Sequence, residues 1–305
     1  MSRQLRIEYP GALYHVMSHG TGNLWLYKSE KDFQDYLDLL LDVKKKFKFE
    51  FHALILMRNH YHFLVETPFA NLSKGMNYFN GQLAQHYNRR QMRQGAVFRT
   101  RYKAVLIEQE KYYRTVFCYI HQNALRANIV NKVEKYEGGI WYYLERGGTN
   151  KVMLNNLISW DSVKLKLGVK SLHRIKLLLN SDLQESPMEG QKYEYFIGSP
   201  AWIENIKRKY INSIPKEFNQ KTRIEKATSE IWKKFRVLKD YKDHPEYLNF
   251  VILILWKYSN LSQSDIATKF NISTSNAVSR RISYFNKKLN DDRKLNHLFN
   301  KIESG

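Results

Sequence analysis

The chain reads as an α+β protein, an antiparallel sheet with helices packed on it, followed by an all-α C-terminal region that ends in a helix-turn-helix. Three observations carry that reading. Phe51 to Met57 is a near-continuous apolar run, and after the break at Arg58 and Asn59 it is followed by the period-two run His60 to Val65, the pattern of two paired strands. Apolar residues at three- and four-residue steps over Lys31 to Phe47 and Glu110 to Leu125 mark amphipathic helices. Beyond Gly147-Gly148-Thr149-Asn150 the pattern changes to helices joined by Pro187, Pro200 and Pro215.

Taken in order, Leu13 to Met17 is a short strand. The first helix places Phe33, Leu37, Leu40 and Leu41 near one face with Lys44. The strand pair follows, then a helix over Leu72 to Gln91, a strand over Ala104 to Ile107, and the helix from Glu110, with Tyr113, Val116, Phe117, Ile120 and Ala124 on one face. The order β-α-β-β-α-β-α predicts a ferredoxin-like layer. We expect a first domain over 1–150, a helical accessory region over 151–245 and a helix-turn-helix domain over 246–305. A chain of 305 residues is long enough for more than one domain.

Lys and Arg number 50 against 29 Asp and Glu, a formal charge of +21, which points to a polyanionic partner. A 14 % aromatic content is too high for a disordered polycation. The single cysteine, Cys118, excludes a disulfide scaffold and a cysteine zinc finger, and fits a reducing cytoplasm. The start has Arg3 and Arg6 but no apolar core of a leader, and the most apolar stretch, Val251 to Trp256, is far short of a membrane span, so no membrane partner is expected. Between Glu66 and Glu108 there is no acidic residue, while Arg89, Arg90, Arg93, Arg99, Arg101 and Lys103 accumulate. A single-sign stretch of this length is read as a phosphate-facing surface, with Tyr78, Phe79, Tyr87, Phe98 and Tyr102 as candidate stacking faces for unpaired bases.

His60-Tyr61-His62 is the sharpest local motif. Side chains at i and i+2 of a strand leave one face, so two imidazoles converge with Cα atoms about 7 Å apart, close enough for one metal ion, while Tyr61 points into the core. Two half-buried histidines satisfied by neighbours would give the same spacing. Tyr119 and Asn123 stand four apart on the last helix and present a phenol and an amide side by side. Tyr112 and Tyr113 remain rival nucleophiles on this reading.

Three co-linear segments carry a resemblance: Arg6-Ile7-Glu8-Tyr9-Pro10-Gly11-Ala12-Leu13-Tyr14-His15-Val16, Leu56-Met57-Arg58-Asn59-His60-Tyr61-His62-Phe63-Leu64-Val65-Glu66-Thr67, and Tyr119-Ile120-His121-Gln122-Asn123 with Arg126-Ala127. Over about residues 3–145 the chain resembles the single-tyrosine HUH transposases, and within them the REP-associated, insertion-sequence-derived enzymes. The resemblance implies a ferredoxin-like or RRM-like HUH endonuclease core in which His60 and His62 hold Mg²⁺ or Mn²⁺ with Asn123 as third ligand. It also implies that the Tyr119 phenolate attacks a DNA phosphate to give a 5′-phosphotyrosine link, which a 3′-hydroxyl can reverse in strand transfer. The positions one turn from Tyr119 are Thr115, Val116, Gln122 and Asn123, which fits one nucleophilic tyrosine rather than two. Two positions depart from the family pattern. Arg58 replaces the usual proline before Asn-His, offering a phosphate contact, and Ala124 follows Asn123 where many relatives have proline, so the helix is expected to continue.

At the C-terminal end, Ser262 with Asp265 three residues on predicts a capped helix, and Asn271-Ile272-Ser273 turns into a second helix capped by Ser273. Ala267, Ile272, Val278 and Ile282 form the small core, leaving Thr274, Ser275, Asn276, Ser279, Arg280 and Arg281 toward DNA. The segment resembles the DNA-binding domain of bacterial replication initiators. The expected partners are single-stranded or hairpin DNA, and duplex DNA at the C-terminal module, bound by a monomer or homodimer. A domesticated, non-cleaving DNA-binding regulator is the alternative.

Overall fold

The computed structural model describes residues 7–181, 183, 186–187, 195–212 and 220–304; Arg6 and Pro215 lie outside them. The chain divides into two compact units, Met1–Pro68 with Leu72–Ile211, and Phe69–Asn71 with Asn212–Gly305.

In the first unit the elements run β1 (Ala12–His19), α1 (Glu30–Phe47), β2 (Glu50–Met57), β3 (His60–Thr67), α2 (Leu72–Arg90), β4 (Lys103–Ile107) and α3 (Gln109–His121), the expected order. Ser29 and Asp32 close a reciprocal capping box at the start of α1, and Lys48 ends the helix in the left-handed region. The two-residue turn at Arg58 and Asn59 makes β2 and β3 antiparallel neighbours. β1 inserts between β3 and β4, giving the order β2-β3-β1-β4-β5.

β5 (Phe196–Ile197) pairs parallel to β4, so the expected antiparallel sheet is a mixed one of five strands. Two residues are too short to show a period-two pattern, which is why the sequence gives no sign of this strand. Tyr61 and Phe63 pack on Phe79 of α2 from one sheet face, while His62 on the other meets Tyr119 of α3. Helices on both faces explain why the strands are buried almost throughout.

The helices that follow share this core. α4 (Asn123–Arg126) comes directly after α3, then α5 (Ile140–Arg146), α6 (Gly148–Leu157), α7 (Trp160–Leu167), α8 (Leu172–Ser181) and α9 (Pro200–Lys207). Leu154, Leu157, Val163, Ile175 and Ile203 are buried with the sheet's apolar residues. Gly147 and Gly148, both with positive φ (86° and 76°), turn the chain between α5 and α6 inside this unit. The outer edge of β2 is covered: Leu56 N–H donates to Gly138 O (2.8 Å), Tyr136 Oη to Leu56 O (3.0 Å), and Ser159 N–H to Phe51 O (2.9 Å).

The second unit contains α10 (Gln220–Lys234), α11 (Tyr247–Tyr258), α12 (Gln263–Lys269), α13 (Ser275–Asp291) and α14 (Arg293–Ser304). α11 is its central helix, buried along Phe250–Leu255, with Phe250, Phe285 and Phe299 in mutual ring contact. Ser262 and Asp265 form the expected capping box on α12. The expected cap at Ser273 is corrected to Thr274, whose extended backbone brings its Oγ1 within 3.1 Å of Ala277 N–H. No described helix is long and apolar enough to cross a membrane.

Candidate active site on the sheet

β1 and β3 pair with His19 opposite His60 and Met17 opposite His62. His15 and His19 therefore leave the same face as His60 and His62. The rings of His60 and His62 are 5.0 Å apart, His19 stacks on His60 at 4.8 Å, and His15 Nε2 is 2.8 Å from His62 Nδ1. Four imidazoles thus occupy one patch of two adjacent strands, where the sequence motif alone shows two.

Burial and mutual proximity keep these rings neutral. Burial, then the charge of His19, pushes His60 down to about 4. Burial followed by the neighbouring histidines holds His62 well below the ordinary imidazole range. His15 falls to about 3 through burial and then Lys103, and burial with Arg99 lowers His19. Asn59 Oδ1, 2.8 Å from His60 Nδ1, accepts a hydrogen bond from it, and His62 Nδ1 faces His15. Both contacts engage Nδ1, and with the proton on Nδ1 each neutral ring offers its Nε2 lone pair to another partner. That donor set fits a divalent cation.

Tyr119 lies against this patch. Its ring is 6.4 Å from that of His62 and 6.0 Å from that of His15, each edge to face, and the Arg126 guanidinium sits 5.4 Å from its centroid. Of the rival tyrosines, Tyr113 is buried and hydrogen-bonded to His52 Nδ1 (2.8 Å). The helix expected to run to Leu125 breaks at Gln122. Asn123 Nδ2 donates to Tyr119 O (2.9 Å) and Ile120 O (3.2 Å), a side-chain competitor for last-turn carbonyls. These bonds tie Asn123 to the turn that carries Tyr119 and leave its Oδ1 outside them.

The basic stretch divides. Arg89, Arg99 and Arg101 are exposed, and Lys103 is half-buried on β4. Arg99 and Lys103 are close enough to the histidines to shift them. Arg90 instead forms ion pairs with Asp32 (2.6 Å) and Asp35 (2.5 Å) across α1 and α2. The Arg93 guanidinium lies 3.5 Å from Ala96 O, with the Tyr87 ring 6.0 Å away. Arg58 lies 4.7 Å from the ring of Trp25, which is 46 % exposed, a cation–aromatic pair at the turn beside His60. Phe79, Tyr87 and Tyr102 are buried and Tyr78 is bonded to Asp42 and Lys46, so these aromatics serve the core where stacking faces were expected. In the second unit Thr274, Asn276, Arg280 and Arg281 are exposed, whereas Ser275 is half-buried.

His15, His19 and Trp25 are the residues that sequence reasoning passed over. The spacing of His15 and His19 matches one face of a strand, but only the β1–β3 register puts that face beside His60 and His62.

Residues 14–123 match the family model described as transposase IS200 like. A solved structure described as a REP-associated tyrosine transposase bound to a REP hairpin aligns with 48 % of this chain and 86 % of its own, at 17 % identity and a TM-score of 0.42. No curated protein matches the chain.

Proposed function

We propose, from the match of residues 14–123 to the family model described as transposase IS200 like, that the protein nicks single-stranded, hairpin-bearing DNA and rejoins it through a 5′-phosphotyrosine link on Tyr119. The observation that carries this reading is the convergence of neutral His60 and His62 with the Tyr119 phenol on one sheet face. His60 and His62, each engaged through Nδ1, would hold Mg²⁺ or Mn²⁺ through Nε2, with Asn123 Oδ1 as third ligand. A divalent cation there supplies positive charge to the oxygens of the scissile phosphate.

Tyr119 has the nucleophile role. Its oxygen bonds to phosphorus, the bond to the 3′ oxygen breaks, and the phenolic proton is lost while the leaving 3′ oxygen gains one. Attack by a 3′-hydroxyl from another strand reverses the step and joins that strand, so no nucleotide cofactor is required. Arg126, over the Tyr119 ring, adds a positive charge beside the reacting group. Arg58, Arg99, Arg101 and Lys103 are the cations we assign to phosphates near the site, with Arg89 and Arg93 farther along the same segment. Residues 246–305 would add duplex or hairpin recognition through Thr274, Ser275, Asn276, Arg280 and Arg281, in a protein working in the cytoplasm.

Labelled single-stranded hairpin DNA from the gene's own flanks, incubated with wild-type, Tyr119→Phe and His62→Ala proteins in Mn²⁺ or EDTA, tests the proposal on a denaturing protein gel. The expected result is a metal-dependent protein–DNA adduct absent from both variants. Tight, specific binding without an adduct would show a DNA-binding regulator instead.

A further inference from the structure

The sheet face that holds the histidine patch carries a second polar cluster at its other end. Glu66 lies four residues along β3 from His62, about 13 Å at ~3.3 Å per residue, and its strand partner on β2 is Glu50. Between Phe51 and Ala53 the register shifts, so His52 is the extra residue of a β-bulge. Bulges re-aim side chains at the expense of a ladder pair. One ligand atom from each of Glu50, His52 and Glu66 falls within 4.8 Å of the others.

His52 is wholly buried, and its two nitrogens have different surroundings. Nδ1 is 2.8 Å from the Tyr113 hydroxyl, which fixes the ring. Nε2 has no hydrogen-bond partner among the described residues and lies 3.7 Å from Glu66 Oε2. Burial, then Lys166 and Lys44, pushes His52 down to about 3, so at neutral pH this contact is between a carboxylate and a neutral ring. A buried ring nitrogen without a hydrogen-bond partner, beside two carboxylates, is a place where a cation would satisfy all three groups. Burial and the neighbouring Glu66 charge raise Glu50, the mark of two like charges held together. Two lysines supply counter-charge: Lys44, which acts on Glu50 and His52, and Lys166, whose Nζ lies 3.3 Å from Glu66 Oε2 and 2.6 Å from Gln109 Oε1. The Lys166 side chain is 25 % exposed and can swing toward water.

We propose that Glu50, His52 and Glu66 form a second divalent-cation site, separate from His60 and His62, with Lys166 as the charge that the incoming ion displaces. One imidazole nitrogen with two carboxylate oxygens suits a borderline ion of the Zn²⁺ class better than Mg²⁺, which favours an all-oxygen shell. With the ion on Nε2, His52 Nδ1 donates to the Tyr113 oxygen, an orienting hydrogen bond of the kind that supports metal-bound imidazoles. The site joins β2, β3 and, through Tyr113, the helix that carries Tyr119. Its role is to pin that helix on the sheet, and its existence does not depend on the nuclease reading.

The test is Zn²⁺ stoichiometry of the full chain by equilibrium dialysis. A His60→Ala/His62→Ala protein should retain one tightly held equivalent, and Glu50→Gln with Glu66→Gln in that background should remove it. Lys166→Met should tighten binding about tenfold, the size expected for removing one like charge beside a ligand set. No retained equivalent in the histidine variant, or one indifferent to the glutamine substitutions, overturns the proposal. If the combined variant does not fold, the wild-type background decides. Glu66→Gln alone should lower the bound Zn²⁺ by one equivalent, and an unchanged count overturns the site.

Discussion

His121 stands two residues from the proposed nucleophile, yet its side chain leaves the opposite side of α3. It is buried against Phe117 (ring centroids 4.6 Å apart) and Trp141 (6.1 Å), with no hydrogen-bond partner for Nε2 among the described residues. Burial pushes it from 6.5 down to about 3. On acidification the unfolded chain therefore takes up this proton before the folded one does. The associated stability is fully present above about pH 6.5, declines as pH falls below that value, and is lost once pH passes the folded value near 3. Across that window one such group gives a slope of about 1.4 kcal/mol per pH unit. We expect His121→Leu to narrow the difference in unfolding free energy between pH 7 and pH 4.5 by about 2.5 kcal/mol in urea titrations. An unchanged difference would mean that the folded and unfolded chains protonate His121 alike. Neutral histidines at 15, 60 and 62 add acid sensitivity of the same sign, so the sheet that carries the site is expected to loosen in acid.

At the scale of elements, the covered edge of β2 depends on a glycine. A Cβ on Gly138 would lie 2.0 Å from Leu56 O, whereas one on Gly139 would meet Tyr136 O at 3.2 Å. Gly138→Ala must push the 136–139 turn off the strand and weaken the Leu56 N–H to Gly138 O bond, a loss of about 1–3 kcal/mol. Gly139→Ala is expected to be milder. Hydrogen exchange at the Leu56 amide separates them: it should quicken strongly in the first variant and little in the second. The same edge shows what the sequence conveys. β1 to β4 and α1 to α3 were legible because each carries an apolar run, an alternation or a helical repeat over four residues or more. β5 has two residues, and the cover at Gly138 is a contact between segments about eighty positions apart, so neither leaves a local pattern. The site divides in the same way. His60, His62 and Tyr119 were legible as motifs, but His15 and His19 joined them only through strand register, and the break at Gln122 lies where the Asn123 amide bonds to the carbonyls of the preceding turn. The bulge at His52 likewise exists only in the pairing of β2 with β3.

For the whole molecule, a charge of +21 sets long-range attraction to polyanions, but the structure decides which cations can meet phosphates. Composition cannot separate Arg90 from Arg99: both lie in the acid-free stretch. Yet Arg90 is held by Asp32 and Asp35 of α1, while Arg99 is exposed near the histidine patch. Each phosphate neutralised on a single strand contributes about −0.7 to the slope of log K against log salt. Anisotropy titrations of wild-type protein with single-stranded DNA should give a slope steeper than about −2, because the proposed function sets at least three cations of the basic segment on phosphates. Arg99→Ala with Arg101→Ala should make that slope shallower by about 1.4, the contribution of two phosphates. Arg90→Ala should leave the slope unchanged and lower thermal stability instead, because it strands two carboxylates between α1 and α2. A slope that falls equally in both variants would mean that net charge, rather than the arrangement of exposed arginines about the histidine patch, governs binding.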